Sequence, residues 1–180
     1  MQQISNDKKT NDEISLIGYK CFNKNLINRY GQKFEIGKTY HTDGNIKFGN
    51  NGNGFHMCLR LEDTLRYFDA INDDVDICLV KCYGKYAKGE DDYYDYYDMY
   101  SFENMYIIKL LTREEIIDYA LKLYGYRAER FISLFKLTEE EIEIFKEKYQ
   151  CNPNILEYIA YYQEGDKEIF EKKYIKRLTL

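Results

Sequence analysis

The chain has 180 residues, enough for one sizeable core with at most a small satellite. It is 44% hydrophobic and 17% aromatic, with 20 Tyr, 10 Phe and no Trp, and tyrosine suits half-buried and interface positions because it joins apolar area to a polar tip. A net charge of −5 and a pI near 5.2 exclude generic electrostatic binding to nucleic acid or to an anionic membrane, and no apolar run is long enough to span one.

Residues 1–13 are polar and lack the apolar stretch of a signal peptide, so a short disordered lead-in and a cytoplasmic location are expected. The five cysteines (Cys21, Cys58, Cys78, Cys82 and Cys151) are odd in number and lie mostly in apolar stretches, which fits reduced thiols. Residues 14–22 read as a first strand. Residues 33–41 read as a second, broken by Gly37. Asp43-Gly44 is a hairpin signal ahead of a short strand within 42–48. Residues 49–54, Gly-Asn-Asn-Gly-Asn-Gly, read as a loop, and 55–58 as a short strand. Leu61, Leu65 and Phe68 share helical spacing within 61–70. Residues 75–86 and 104–111 are the most strand-like runs.

From Thr112 the period becomes helical. Thr112 with Glu115, and Thr138 with Glu141, are capping boxes in two Leu-Thr-x-Glu-Glu-Ile stretches 26 residues apart. The first of these helices is expected to run to Gly125. Asn152-Pro153 opens a further helix in the N-cap, N1 order, and another is expected after Gly165. The fold class is therefore α+β: a mainly antiparallel N-terminal sheet with one or two short helices over 14–111, then a subdomain of four or five short helices over 112–180.

Residues 89–108 hold six carboxylates and no basic residue, whereas 1–88 carry +2 and 109–180 carry −1. A strand period sorts neither face of this window. A helical period places Asp91, Asp95 and Asp98 on one stripe and Tyr93, Tyr96, Tyr97 and Tyr100 opposite, so a helix of about ten residues starting at Asp91 is predicted. Its carboxylates would imitate nucleic-acid phosphates, and its tyrosines would anchor a partner. The candidate partner-binding residues are Glu90, Asp91, Asp92, Tyr93, Asp95, Tyr96, Tyr97, Asp98 and Tyr100.

No metal site is expected. On a strand the Cα atoms of Cys78 and Cys82 lie about 13 Å apart, while two sulfurs on one zinc must come within roughly 4 Å. No catalytic residue is assigned and no cofactor is expected. Residues 49–54 have glycines but no following helix to turn its N-terminus toward a phosphate.

Two resemblances bear on function. Gly18-Tyr-Lys-Cys-Phe22, Phe34-Glu-Ile-Gly-Lys-x-Tyr40, Gly54-Phe-His-Met-Cys58, Leu61-Glu-Asp with Tyr67-Phe68, and Val80-Lys-Cys-Tyr-Gly84 follow in that order. Over about residues 17–118 the chain resembles an uncharacterised domain of bacteria and their phages, often found beside pentapeptide repeats, which implies a phage or mobile-element setting. The order Tyr19-Lys20, Gly54-Phe55-His56, Tyr67, Gly84, Glu103 is loosely similar to an ADP-ribosyltransferase core. That resemblance implies NAD as substrate, Glu103 stabilising a ribosyl cation, and His56 and Tyr67 lining the nicotinamide pocket. The chain departs from the pattern: it has no Tyr-Arg-Gly or His-Gly-Thr signature, and Ser101 stands where a second acid or amide would precede Glu103.

The expected function is a non-enzymatic inhibitor from a phage or mobile element. It would occupy the basic nucleic-acid-binding groove of a host defence protein, without touching nucleic acid or membrane itself. The alternatives are an NAD-using ADP-ribosyltransferase-like enzyme, or a helical scaffold that meets a host protein through Tyr158, Tyr161 and Tyr162.

Overall fold

The computed structural model describes residues 14–49, 52–89 and 98–166. Five antiparallel strands, β1 (Ile14–Asn23), β2 (Thr39–His41), β3 (Phe55–Cys58), β4 (Val75–Lys88) and β5 (Met99–Leu110), form one sheet in the order β2-β5-β3-β1-β4. The sheet curls until β4 also pairs with β5, from Cys78↔Leu110 to Lys88↔Tyr100. The first edge of this ring is unbroken, because β1 pairs with β4 from Ile14↔Gly84 to Asn23↔Val75. Among the described residues five α-helices accompany the sheet: α1 (Leu61–Thr64), α2 (Arg113–Ala120), α3 (Tyr126–Leu134), α4 (Glu139–Lys148) and α5 (Pro153–Tyr162). The architecture is α+β, as the change of hydrophobic period predicts.

Alternation along the strands feeds two cores. Cys78, Val80 and Cys82 point to one face, where they meet Phe22, Phe34, Met57, Phe102, Met105 and Ile107. Ile77 points to the other, where it joins Leu61, Leu65, Ile117, Phe131, Phe145, Ile155 and Ile159. The second cluster crosses from sheet to helices without a break at residues 111–112. Two buried carboxylates reinforce that seam. Glu62 accepts from the Arg127 guanidinium and from Tyr119 Oη (2.8 Å), and Asp63 pairs with Arg130. Asp63 Oδ2 has no hydrogen-bond partner among the described residues, and burial pushes this carboxyl up against the pull of Arg130.

Both capping boxes are formed as expected: Thr112 with Glu115 and Thr138 with Glu141. The two are joined, since Glu141 also takes a bidentate pair from Arg113 at 2.7 and 2.6 Å. Asn152 caps α5 with Pro153 at its start, and the helix expected after Gly165 lies almost wholly outside the described residues.

Four sequence expectations are corrected. Residues 42–48 form no strand: beyond the Thr42 N bond to Glu103 O of β5, Thr42 Oγ1 and Lys47 N both bond to Asn53, which folds the segment onto its own loop. Of 33–41 only Thr39–His41 is strand, and Gly37 (φ 78°) turns the chain to reach Ile107 O. The helix expected over 61–70 is α-helical only to Thr64. It tightens to a 3₁₀ turn at Leu65–Tyr67 and stops at extended Phe68. The helix expected to reach Gly125 ends at Ala120, and Gly125 (φ 55°) is instead the N-cap of α3.

Candidate functional site

The acidic segment connects the far ends of the two longest strands. Gly89 N bonds to Met99 O (2.9 Å), closing the described part of the β4–β5 hairpin just before it. Glu90, Asp91, Asp92, Tyr93, Asp95, Tyr96 and Tyr97 lie outside the described residues, as does most of the helix predicted there. Tyr100 is not in a helix: it belongs to β5, where ladder bonds to β3 and β4 override the helical period. Its ring lies 6.3 Å from Tyr86 and 6.0 Å from Phe102, with the Lys88 ammonium 5.9 Å from its centroid. Asp98 pairs with Arg60 at 2.6 Å, and its carbonyl receives Leu59 N. Asp98 is thus anchored to the body of the protein, and the other acids of the segment, Glu90, Asp91, Asp92 and Asp95, lie outside the described residues.

Glu103 faces a β-bulge. Tyr83 pairs with Asn104 and Tyr86 with Phe102, so Gly84 and Lys85 together oppose the single residue Glu103. Gly84 has φ 90°, and a Cβ there would fall 2.8 Å from Glu103 Oε2. Lys85 Nζ lies 3.2 Å from Glu103 Oε1, and this hydrogen-bonded pair holds the carboxyl below its usual range.

Elsewhere a cleft of about 470 Å³ opens between β1, β3, the loop after β1 and the 3₁₀ turn. Lys20, on β1, donates from Nζ to His56 O at 2.7 Å, and its ammonium is 5.6 Å from the Phe22 ring centre. Desolvation pushes the Lys20 pKa down. His56, on β3, meets the Phe48 ring edge-on at 5.1 Å. Burial, then the nearby Lys20 and Arg29 charges, push it down to about 4, so it is neutral at pH 7. The Arg29 guanidinium lies 5.7 Å from the Tyr67 ring centre.

Geometry therefore brings His56 and Tyr67 together with Lys20, while Glu103 is not among the residues that line this cleft. Tyr19-Lys20 is the first-strand pair that the ADP-ribosyltransferase resemblance implies would serve NAD, whereas Arg29 belongs to none of the motifs of the sequence. Lys20 is conspicuous as the one charge in Ile-Ser-Leu-Ile-Gly-Tyr-Lys-Cys-Phe. Arg29 carries no such signal, because its place depends on a loop that turns through Asn25 and Leu26 at φ 65° and 57°.

Cys21, Cys58, Cys78 and Cys82 are buried and Cys151 is exposed. Burial pushes the Cys78 and Cys82 thiols up to about 12, which makes them poor nucleophiles. Among the described residues no group of His, Cys, Asp or Glu converges as a metal site would require, and no helix is long and apolar enough to cross a membrane.

A curled antiparallel sheet, backed by short capped helices and bearing a cationic cleft, defines the class of protein as a small α+β domain. Residues 16–118 match the family described as a domain of unknown function (DUF7666), and the chain belongs to that family. No curated protein and no solved structure matches the chain.

Proposed function

We propose that this chain is a non-enzymatic binding protein of a phage or mobile element, and that its acidic, tyrosine-rich segment between β4 and β5 occupies the basic nucleic-acid-binding groove of a host defence protein. What supports the reading is the charge pattern of the sequence: six carboxylates and no base fall within 89–108, between and into the paired strands β4 and β5, while the rest of the chain is nearly neutral. A cluster of like charge on a neutral body steers association with a cationic surface, and the effect falls with salt. Asp98 is held by Arg60, so it serves the hairpin's anchorage rather than its outward charge. Asp91→Asn, Asp92→Asn and Asp95→Asn combined removes charge from the segment without touching that anchor. In capture from host extract, the reading predicts a basic protein that is released by duplex DNA and is lost with the triple variant. Capture that survives both the variant and the DNA would reject it.

The ADP-ribosyltransferase-like reading gains one observation and loses another. His56 and Tyr67 line one cleft, as that resemblance implies. The carboxylate meant to stabilise the ribosyl cation is bound to Lys85 at the bulge, outside the cleft lining. Consumption of NAD by the wild type, abolished by Glu103→Gln, would favour this reading over the first.

A further inference from the structure

We propose that the cleft between β1, β3 and the Leu65–Tyr67 turn is a binding site for a nucleoside phosphate, held without chemical change. Two cations converge here. Lys20 and Arg29 both line the cleft beside His56. Among the described residues neither forms an ion pair with a carboxylate, and no Asp or Glu lines the cleft. That is selective placement in a chain holding 31 Asp and Glu. Like charges set side by side in a half-buried cleft repel, and an anion entering between them removes the repulsion.

The donors fit phosphate. Lys20 spends one of its three N–H groups on His56 O, leaving two for a ligand. Arg29 is exposed, and its contacts are the face of Tyr67 and the Tyr67 carbonyl at 3.5 Å, so most of its fork is open for bidentate binding. The remaining lining suits a flat ring, because Tyr30, Phe48, Phe55 and Tyr67 present aromatic surface to the same space. The ring nitrogens of His56 make no hydrogen bond to the described residues, and as a neutral imidazole it offers one donor and one acceptor. The cleft volume falls within the roughly 300–1,000 Å³ range of small-molecule sites. With no carboxylate in the lining, the site holds its ligand and supplies no charge to a developing cation.

The test is calorimetric titration of the full chain with ADP, with adenosine and inorganic phosphate as separate arms. The proposal predicts saturable binding of ADP, and at least tenfold weaker binding of adenosine and of phosphate alone. Arg29→Ala, at an exposed position, should weaken ADP binding tenfold or more, with its melting temperature checked against the wild type. Lys20→Met should do the same, with its folding checked by circular dichroism. The Asp91, Asp92 and Asp95 triple variant should bind ADP as the wild type does, which separates this site from the hairpin. Absence of ADP binding at millimolar concentration overturns the proposal, as does undiminished binding by Arg29→Ala, or phosphate alone binding as tightly as ADP.

Discussion

His56 couples the cleft to the stability of the whole chain. Its folded-state value of about 4 lies below the ordinary histidine value near 6.5, so between these limits the unfolded chain binds a proton that the folded chain refuses. Stability from this group is complete above pH 6.5 and is lost as pH falls toward 4. The full shift corresponds to roughly 3 kcal/mol. Urea midpoints measured from pH 7 to 4.5 should therefore fall more steeply for the wild type than for His56→Gln, and parallel slopes would show that His56 is not held neutral. His41 shifts the other way, raised by its bonds to Asn104 and Asp43, but it is common to both proteins and cancels in the comparison. At this scale the sequence was partly legible. A charged residue inside an apolar strand marks Lys20. Arg29 and Asp98 were not legible, since their partners, Tyr67 and Arg60, are 38 residues away from each in the chain and meet them only through the fold.

Strands and helices were legible where one face is apolar and the end is marked chemically. The two capping boxes and the Asn152-Pro153 start stand where residue type alone places them. Ends without such marks were overrun: Phe68 continues the apolar pattern although its backbone is already extended, and Leu121, equally apolar, is the C-cap that closes α2. Gly18 shows what pattern reading misses within a strand. A Cβ there would fall 2.1 Å from Met57 Cε and 2.4 Å from Cys58 O, so this glycine permits β1 and β3 to approach where they are joined by the single pair Tyr19↔Cys58. Gly18→Ala should cost about 1–3 kcal/mol, the usual penalty for overpacking. Chemical denaturation checks this, and a cost below 0.5 kcal/mol, the range of ordinary surface substitutions, would mean that the strands part without penalty.

For the whole molecule the governing feature is the core that runs from Leu61, Leu65 and Ile77 into Ile117, Phe131 and Phe145. Hydrophobic period reports which face of an element is buried and not which element covers it, so this continuity was invisible in the sequence. A shared core predicts that circular dichroism and tyrosine fluorescence trace one coincident unfolding transition. Arg130→Ala should lower that stability by about 3–5 kcal/mol, because it leaves the Asp63 carboxylate buried and unpaired. Separate transitions for sheet and helices would contradict the shared core. The acidic segment between β4 and β5 is the feature proposed to meet a partner, and the measurement that addresses it most directly is the affinity of the purified captured protein for wild type and for the Asp91, Asp92 and Asp95 triple variant across a salt series. The account predicts a wild-type affinity that declines steadily with salt, and at least a tenfold loss in a variant that melts like the wild type; equal affinities at every salt concentration would contradict it.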